Sequence, residues 1–282
     1  MSPTGGKNRP VILARAIAIK LLFFAGLLTL SCCASQRTTT RAQIGSWYDY
    51  NTLRVSEEAE IFQKGYGSYL MHCEGSFLDE EGEAYKFHIR GIVSPIEIKG
   101  KTYFLGAGHV FDLEKEIVLR GGSSTAPKVR PPVYYLELNG NRYEMDKVDR
   151  GNRDLALFVQ RGTRNDFPRS RYHCGNSDDL RMGNPVLSWG MPLLEDFELS
   201  IGIVSALSAP KSLREASFPE SAAEDFFVTS MTSIFGCSGA LVYAFRDGNP
   251  EIVGMLVAGY ININRSMVYK INSILRDSGL DR

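Results

Sequence analysis

The sequence predicts an all-β protein closed by one short helix, and three observations lead there. From about Gly67 onward the chain reads as short apolar or alternating runs: YLMHC, KFHIRGIV, TYFLGAGHV, IVLR, PVYYLEL, LALFVQ, PVLSWG, LSIGIVSAL, FFVTSM, ALVYAF and IVGMLVAGY. Many of their residues are β-branched or aromatic, with Gly, Pro, Asn or Asp between runs, the texture of a sandwich or barrel rather than of alternating strand and helix units. The polar stretch 161–182, RGTRNDFPRSRYHCGNSDDLRM, divides the runs into two comparable groups and is the predicted connection between two barrels. Near the end, Val268, Ile271, Ile274 and Leu275 follow helical spacing with Gly279 behind them as a stop signal.

The elements follow in chain order. Lys7, Arg9, Arg15 and Lys20 precede the uncharged run LLFFAGLLTL, and the small residues SCCAS come next. A basic stretch, a short apolar stretch and a small-residue exit describe an export signal over residues 1–34. LSC at 30–32 is compatible with lipidation of Cys32 or Cys33; the alternatives are cleavage after Ala34 and retention as an uncleaved anchor. Lipidation and cleavage both place the mature protein outside the cytoplasm, in a periplasm, a cell envelope or the medium. A lipid or a retained anchor would attach it to the membrane. Residues 35–62 are polar and carry SEEAE, a linker or a peripheral helix. The strand groups then occupy 63–165 and 166–282, with 120–131 and 208–225 as surface loops.

Composition bounds the function. At 282 residues, with 44% hydrophobic and 23% charged, the chain can bury a sizeable core. Lys+Arg and Asp+Glu balance at 32 each, so no global field draws it to nucleic acid. Of five cysteines, Cys73, Cys174 and Cys237 lie beyond the signal. Three cannot all pair within one chain, and spacing gives no evidence for a Cys73–Cys174 bridge. There is no CxxC or HxxxH pair, so neither a metal nor another cofactor is expected.

GCSGA at 236–240 has three readings: Ser238 as nucleophile, Cys237 as nucleophile, or a plain Gly-rich turn. A serine hydroxyl needs a base, and the histidines are His72, His88, His109 and His173, all before Ser238. In α/β-hydrolases the base follows both serine and acid, so that fold is excluded. The order His, Asp, Ser stays open. His109 ends the apolar run FLGAGH, and Asp154 opens DLALF. His72, His88 and His173 read as structural residues.

Four motifs in this order resemble the chymotrypsin-fold serine peptidases: GAGHV at the histidine, DLALF at the aspartate, GCSGALV at the serine, and SWGMP followed by LSIGIVSAL, which is similar to the HtrA/Deg branch. The resemblance covers roughly residues 86–275. It implies two antiparallel six-stranded β-barrels with a C-terminal helix, the first barrel bearing His109 and Asp154 and the second Ser238. It implies a polypeptide substrate and a triad in which His109 is the base, Asp154 its orienter and Ser238 the nucleophile. The few residues after the expected helix leave no room for the PDZ domain that many Deg enzymes carry. Backbone N–H groups of Gly236 and Ser238 would form the oxyanion hole. By motif position Thr232 and Leu256 would line the primary pocket, and IVGMLVAGY would supply the substrate-pairing strand near Val257 and Gly259. Cys237 stands where the family has Asp or Asn, and Ala240 replaces a glycine. Cysteine variants of this fold put sulfur at the serine's own position, which argues against Cys237 as nucleophile. The rival expectations are a catalytically silent homologue that binds peptides and an envelope-anchored interaction protein.

Overall fold

A computed structural model describes residues 67–79, 81–113, 128–148, 154–162, 170–211, 223–260 and 264–280. The export signal, the segment 35–62 and the run IVLR lie outside the described residues. Among the described residues, twelve strands form two closed antiparallel barrels. The first contains β1 (Tyr69–Leu78), β2 (Ala84–Ile98), β3 (Lys101–Gly106), β4 (Lys128–Leu138), β5 (Asn141–Lys147) and β6 (Ala156–Gln160), in the order β1-β2-β3-β6-β5-β4. The second contains β7 (Pro185–Gly190), β8 (Glu198–Ala206), β9 (Phe226–Thr229), β10 (Leu241–Arg246), β11 (Asn249–Tyr260) and β12 (Arg265–Lys270), in the order β10-β11-β12-β9-β8-β7. This is the expected architecture, with six strands in each barrel.

Local chemistry sets the register. Lys99-Gly100, Asn139-Gly140 and Asp247-Gly248 each hold two successive positive φ angles between paired strand ends. Two-residue turns of that hand match the right-handed twist of the flanking strands. Alternation then sorts side chains: Met71, Cys73, Phe104, Phe111, Leu136 and Phe158 fill the first barrel. Val186, Phe227, Met231, Val242, Val253 and Val268 fill the second. A third cluster belongs to neither barrel alone, since Leu105, Ala107, Leu155 and Leu157 join Trp189, Leu241, Met255 and Val257 in it. That shared cluster joins the two barrels.

Two expectations need correction. Val268 is a strand residue of β12, paired with Leu256 and Phe227, and the helix α1 runs only from Ile271 to Ser278. Its apolar spacing matches a helix by coincidence, because a strand buried on both faces carries no clear period. The loop expected over 120–131 likewise yields at its end to β4, which starts at Lys128 despite two prolines. Helix α1 itself stops at Gly279 as expected: φ is +69°, Gly279 N–H donates to Arg276 O, and Leu280 N–H donates to Leu275 O. These are the two bonds of a Schellman cap.

His72 and His88 sit on the first barrel, Nδ1 to Nε2 at 2.9 Å, with His72 stacked on Tyr135. Burial, and then His88, push the His72 pKa below its ordinary 6.5; Arg90 acts in the same direction, against Glu137 and Glu74. Folded protein therefore binds fewer protons here than unfolded chain just below pH 6.5. The stability is present above that value and is lost as pH falls through the folded pKa. A melting series from pH 7.5 to 5 should show His72→Gln with a shallower decline than wild type; parallel curves would contradict this.

Candidate active site

His109 lies in a 3₁₀ turn, Gly108–Phe111, just past the end of β3. Asp154 lies just before β6, and β3 pairs with β6 through Gly106 and Ala156. Adjacent antiparallel strand ends thus bring together two residues 45 apart in sequence. The approach is close: a Cβ at Gly108 would stand 2.6 Å from Leu155 N. The Asp154 carboxylate is 6% exposed and the imidazole 37%. Asp154 Oδ1 accepts the His109 backbone N–H at 2.6 Å, while Nδ1 lies 2.9 Å from Oδ1 and 3.0 Å from Oδ2. A carboxylate beside Nδ1 favours a proton on that nitrogen, which leaves the Nε2 lone pair free.

Ser238 belongs to the second barrel, in the turn entering β10. Cys237 N–H donates to Ile234 O at 3.1 Å, Gly239 N–H to Leu256 O at 2.9 Å, and Ala240 N–H to Cys237 O at 3.1 Å. Gly239, with φ +97°, presses this turn onto the first barrel: a Cβ there would lie 2.3 Å from Ile92 O and 3.2 Å from Ala107 N. Ala107 is two residues from His109, so the serine turn is seated beside the histidine turn. Among the described residues, Ser238 Oγ makes no hydrogen bond, and His109 bonds through its side chain only to Asp154.

Gly236 has φ +97°, and a Cβ there would meet Met191 O at 2.4 Å and Leu194 N at 2.8 Å. The Phe235 carbonyl accepts Leu193 N–H at 2.7 Å, which fixes the Phe235–Gly236 peptide plane. Among the described residues, neither Gly236 N–H nor Ser238 N–H is bonded to protein. Loop 191–195 holds this plane; the motif SWGMP reaches its first two residues, Met191 and Pro192, while Leu193 and Leu194 carry no signal beyond a pair of leucines ahead of two acidic residues.

Thr232 and Leu256 line a cavity of about 270 Å³ together with Ser188, Gly190, Glu198 and Cys237. Ser238 and His109 do not line it. Thr232 Oγ1 also donates to Asn264 Oδ1 at 2.9 Å. Val257 and Gly259 lie on β11, where the register against β12 slips between Leu256 and Ala258, leaving Val257 as the extra residue of a bulge. Among the described residues, no strand pairs with β11 on its β10 side beyond Met255, so residues 257–259 offer a sheet edge there.

Cys237 is 5% exposed and turns its sulfur toward Gly190, whose Cβ position lies 3.1 Å from it. Burial raises the thiol pKa, Glu198 adds to the rise, and backbone bonds near Ile234 and Met191 oppose it. A nucleophilic thiol is usually depressed and partly open, so Cys237 behaves as a buried apolar residue. Cys73 and Cys174 are free thiols raised by burial to about 12 and about 11. Among the described residues no group of His, Cys, Asp and Glu could hold a metal ion.

No protein-family model and no curated protein matches the sequence. Solved structures do match in fold. An HtrA-type protease, AlgW, solved with a decapeptide aligns at TM-score 0.53 and 16% identity over 77% of this chain. The same protease with a tripeptide aligns at 0.51 and 17% over 77%. Deg5 aligns at 0.50 and 20% over 79% of this chain and 94% of its own. This chain spans under two thirds of the AlgW chains, 64% and 61%. At such identities the likeness is one of fold: two six-stranded barrels, as in the HtrA branch of chymotrypsin-like serine peptidases.

Proposed function

We propose that the chain is an exported serine endopeptidase acting through Ser238, His109 and Asp154. The observation that carries this reading is the Asp154-bound imidazole seated beside a serine turn whose two N–H groups have no protein acceptor among the described residues. His109 Nε2 takes the Ser238 proton as Oγ attacks a peptide carbonyl and gives it to the amine as the C–N bond breaks. The same nitrogen then takes a proton from a water that attacks the acyl carbon and gives it back to Oγ as the ester bond breaks. Asp154 holds the tautomer and stabilises the imidazolium. The oxyanion takes bonds from Gly236 N–H and Ser238 N–H, each worth about 3 kcal/mol of barrier by analogy with known donors. The substrate lies extended along residues 257–259, adding a strand to the open edge. Peptides bound to AlgW in two solved structures support a polypeptide ligand. Export rests on residues 1–34, with cleavage after Ala34, lipidation of Cys32 or Cys33, and a retained anchor as its alternatives.

A second reading keeps the scaffold and drops the chemistry: a peptide-binding module without turnover. The missing Ser238–His109 bond favours it, although such bonds often tighten only with substrate. A fluorophosphonate probe separates the two. Labelling of wild type and none of Ser238→Ala is the expected result; unlabelled wild type with an intact melting transition would leave the binding module.

A further inference from the structure

Phe235 is the most exposed large apolar side chain among the described residues, at 76%, and it directly precedes Gly236. Leu193 is 57% exposed and stands on loop 191–195. Their backbones are tied by the Leu193 N–H to Phe235 O bond of 2.7 Å, so the two side chains leave one fixed frame. In sequence, Phe235 stands three residues before Ser238.

Leu193 carries a second cost. Its φ of +56° is left-handed, a region that disfavours residues with a Cβ. Leu194 shares the conformation, with φ +58°, but packs against the second-barrel cluster with Met191 and Cys237, so burial offsets it. Leu193 has no such compensation. An asparagine or glycine would suit its backbone better, and a polar residue would suit its exposure better. Backbone strain together with bare apolar surface, beside reactive groups, points to function.

We infer that Phe235 and Leu193 form an apolar lip that grips a hydrophobic side chain of the bound polypeptide close to the scissile bond. This rests on the peptidase reading and names its substrate class: chains with a large apolar residue within about three positions of the cleaved bond. A buried Leu or Phe side chain typically changes binding by about tenfold or more. Gly and Ser at that position leave the lip bare and bind less tightly.

The test uses the full chain carrying Ser238→Ala, so binding is read without turnover. Labelled peptides of one length, with a single leucine walked through a Gly/Ser frame, are titrated by fluorescence anisotropy. Leucine at one or two adjacent positions should tighten binding about tenfold. Adding Phe235→Ser and Leu193→Asn should abolish that preference with an unchanged or raised melting temperature, since Asn tolerates the left-handed backbone. Phe235→Ser alone should remove a large part of it. No preferred position, no peptide binding, or a preference that survives the double substitution each overturns the lip. Failure here is distinct from failure of the peptidase reading. A chain that prefers leucine but resists fluorophosphonate loses the chemistry and keeps the lip.

Discussion

Asp154→Asn is expected to lower kcat by about four orders of magnitude with little change in KM, the size of effect that the same exchange has in a well-characterised Ser-His-Asp triad. Asp154 Oδ1 accepts the His109 backbone N–H at 2.6 Å and faces Nδ1 at 2.9 Å, with Oδ2 at 3.0 Å from Nδ1. An amide has one oxygen and one NH₂. If the oxygen keeps the backbone N–H, the NH₂ faces Nδ1 and turns that nitrogen into an acceptor. The ring proton then moves to Nε2, where the proposed mechanism requires a lone pair. Shape is conserved while the tautomer is inverted, so melting should change far less than turnover. Single-turnover kinetics beside a melting curve would check this. Turnover by the Asp154→Asn variant within about tenfold of wild type would contradict the role of Asp154.

Gly239→Ala should be among the most destabilising single substitutions available, by more than about 3 kcal/mol. Two costs combine. The residue has φ +97°, which L side chains rarely adopt, and the new Cβ would lie 2.3 Å from the Ile92 carbonyl oxygen. That carbonyl cannot yield easily, because β2 is paired on both edges, with β1 and with β3. Gly140→Ala is the control: φ is +75°, but no atom lies within 4 Å of its Cβ position. It should lose only the backbone cost, about 1–2 kcal/mol. Urea denaturation of both variants isolates the clash; equal losses would mean that the seat against Ile92 is not as tight as described.

Much of this fold is legible in the letters, for physical reasons. Period-two alternation and turn residues mark the strands. That every histidine precedes Ser238 excludes an order with the base last, and the DLALF motif then singles out Asp154 between His109 and Ser238. What stays hidden depends on partners distant in sequence. The Gly108 and Gly239 contacts arise only when Asp154 and Ile92 arrive from other strands. Leu193 reads as a routine loop residue until its backbone angle and its bond to Phe235 O are in place. Val268 misleads because a residue buried between two partner strands fits either period. For Cys237 the letters argue against a nucleophile by its position one residue before the serine; the direction of its sulfur, toward Gly190, follows from the turn that carries both.

The greasy layer common to both halves has a mechanical corollary. Imidazole and hydroxyl ride on opposite sides of it, so a slip of about one ångström along that plane can cost about a hundredfold in rate while every strand stays intact. Under the proposed peptidase reading, turnover is then the property most sensitive to that joint, more so than the pairing of the strands on either side.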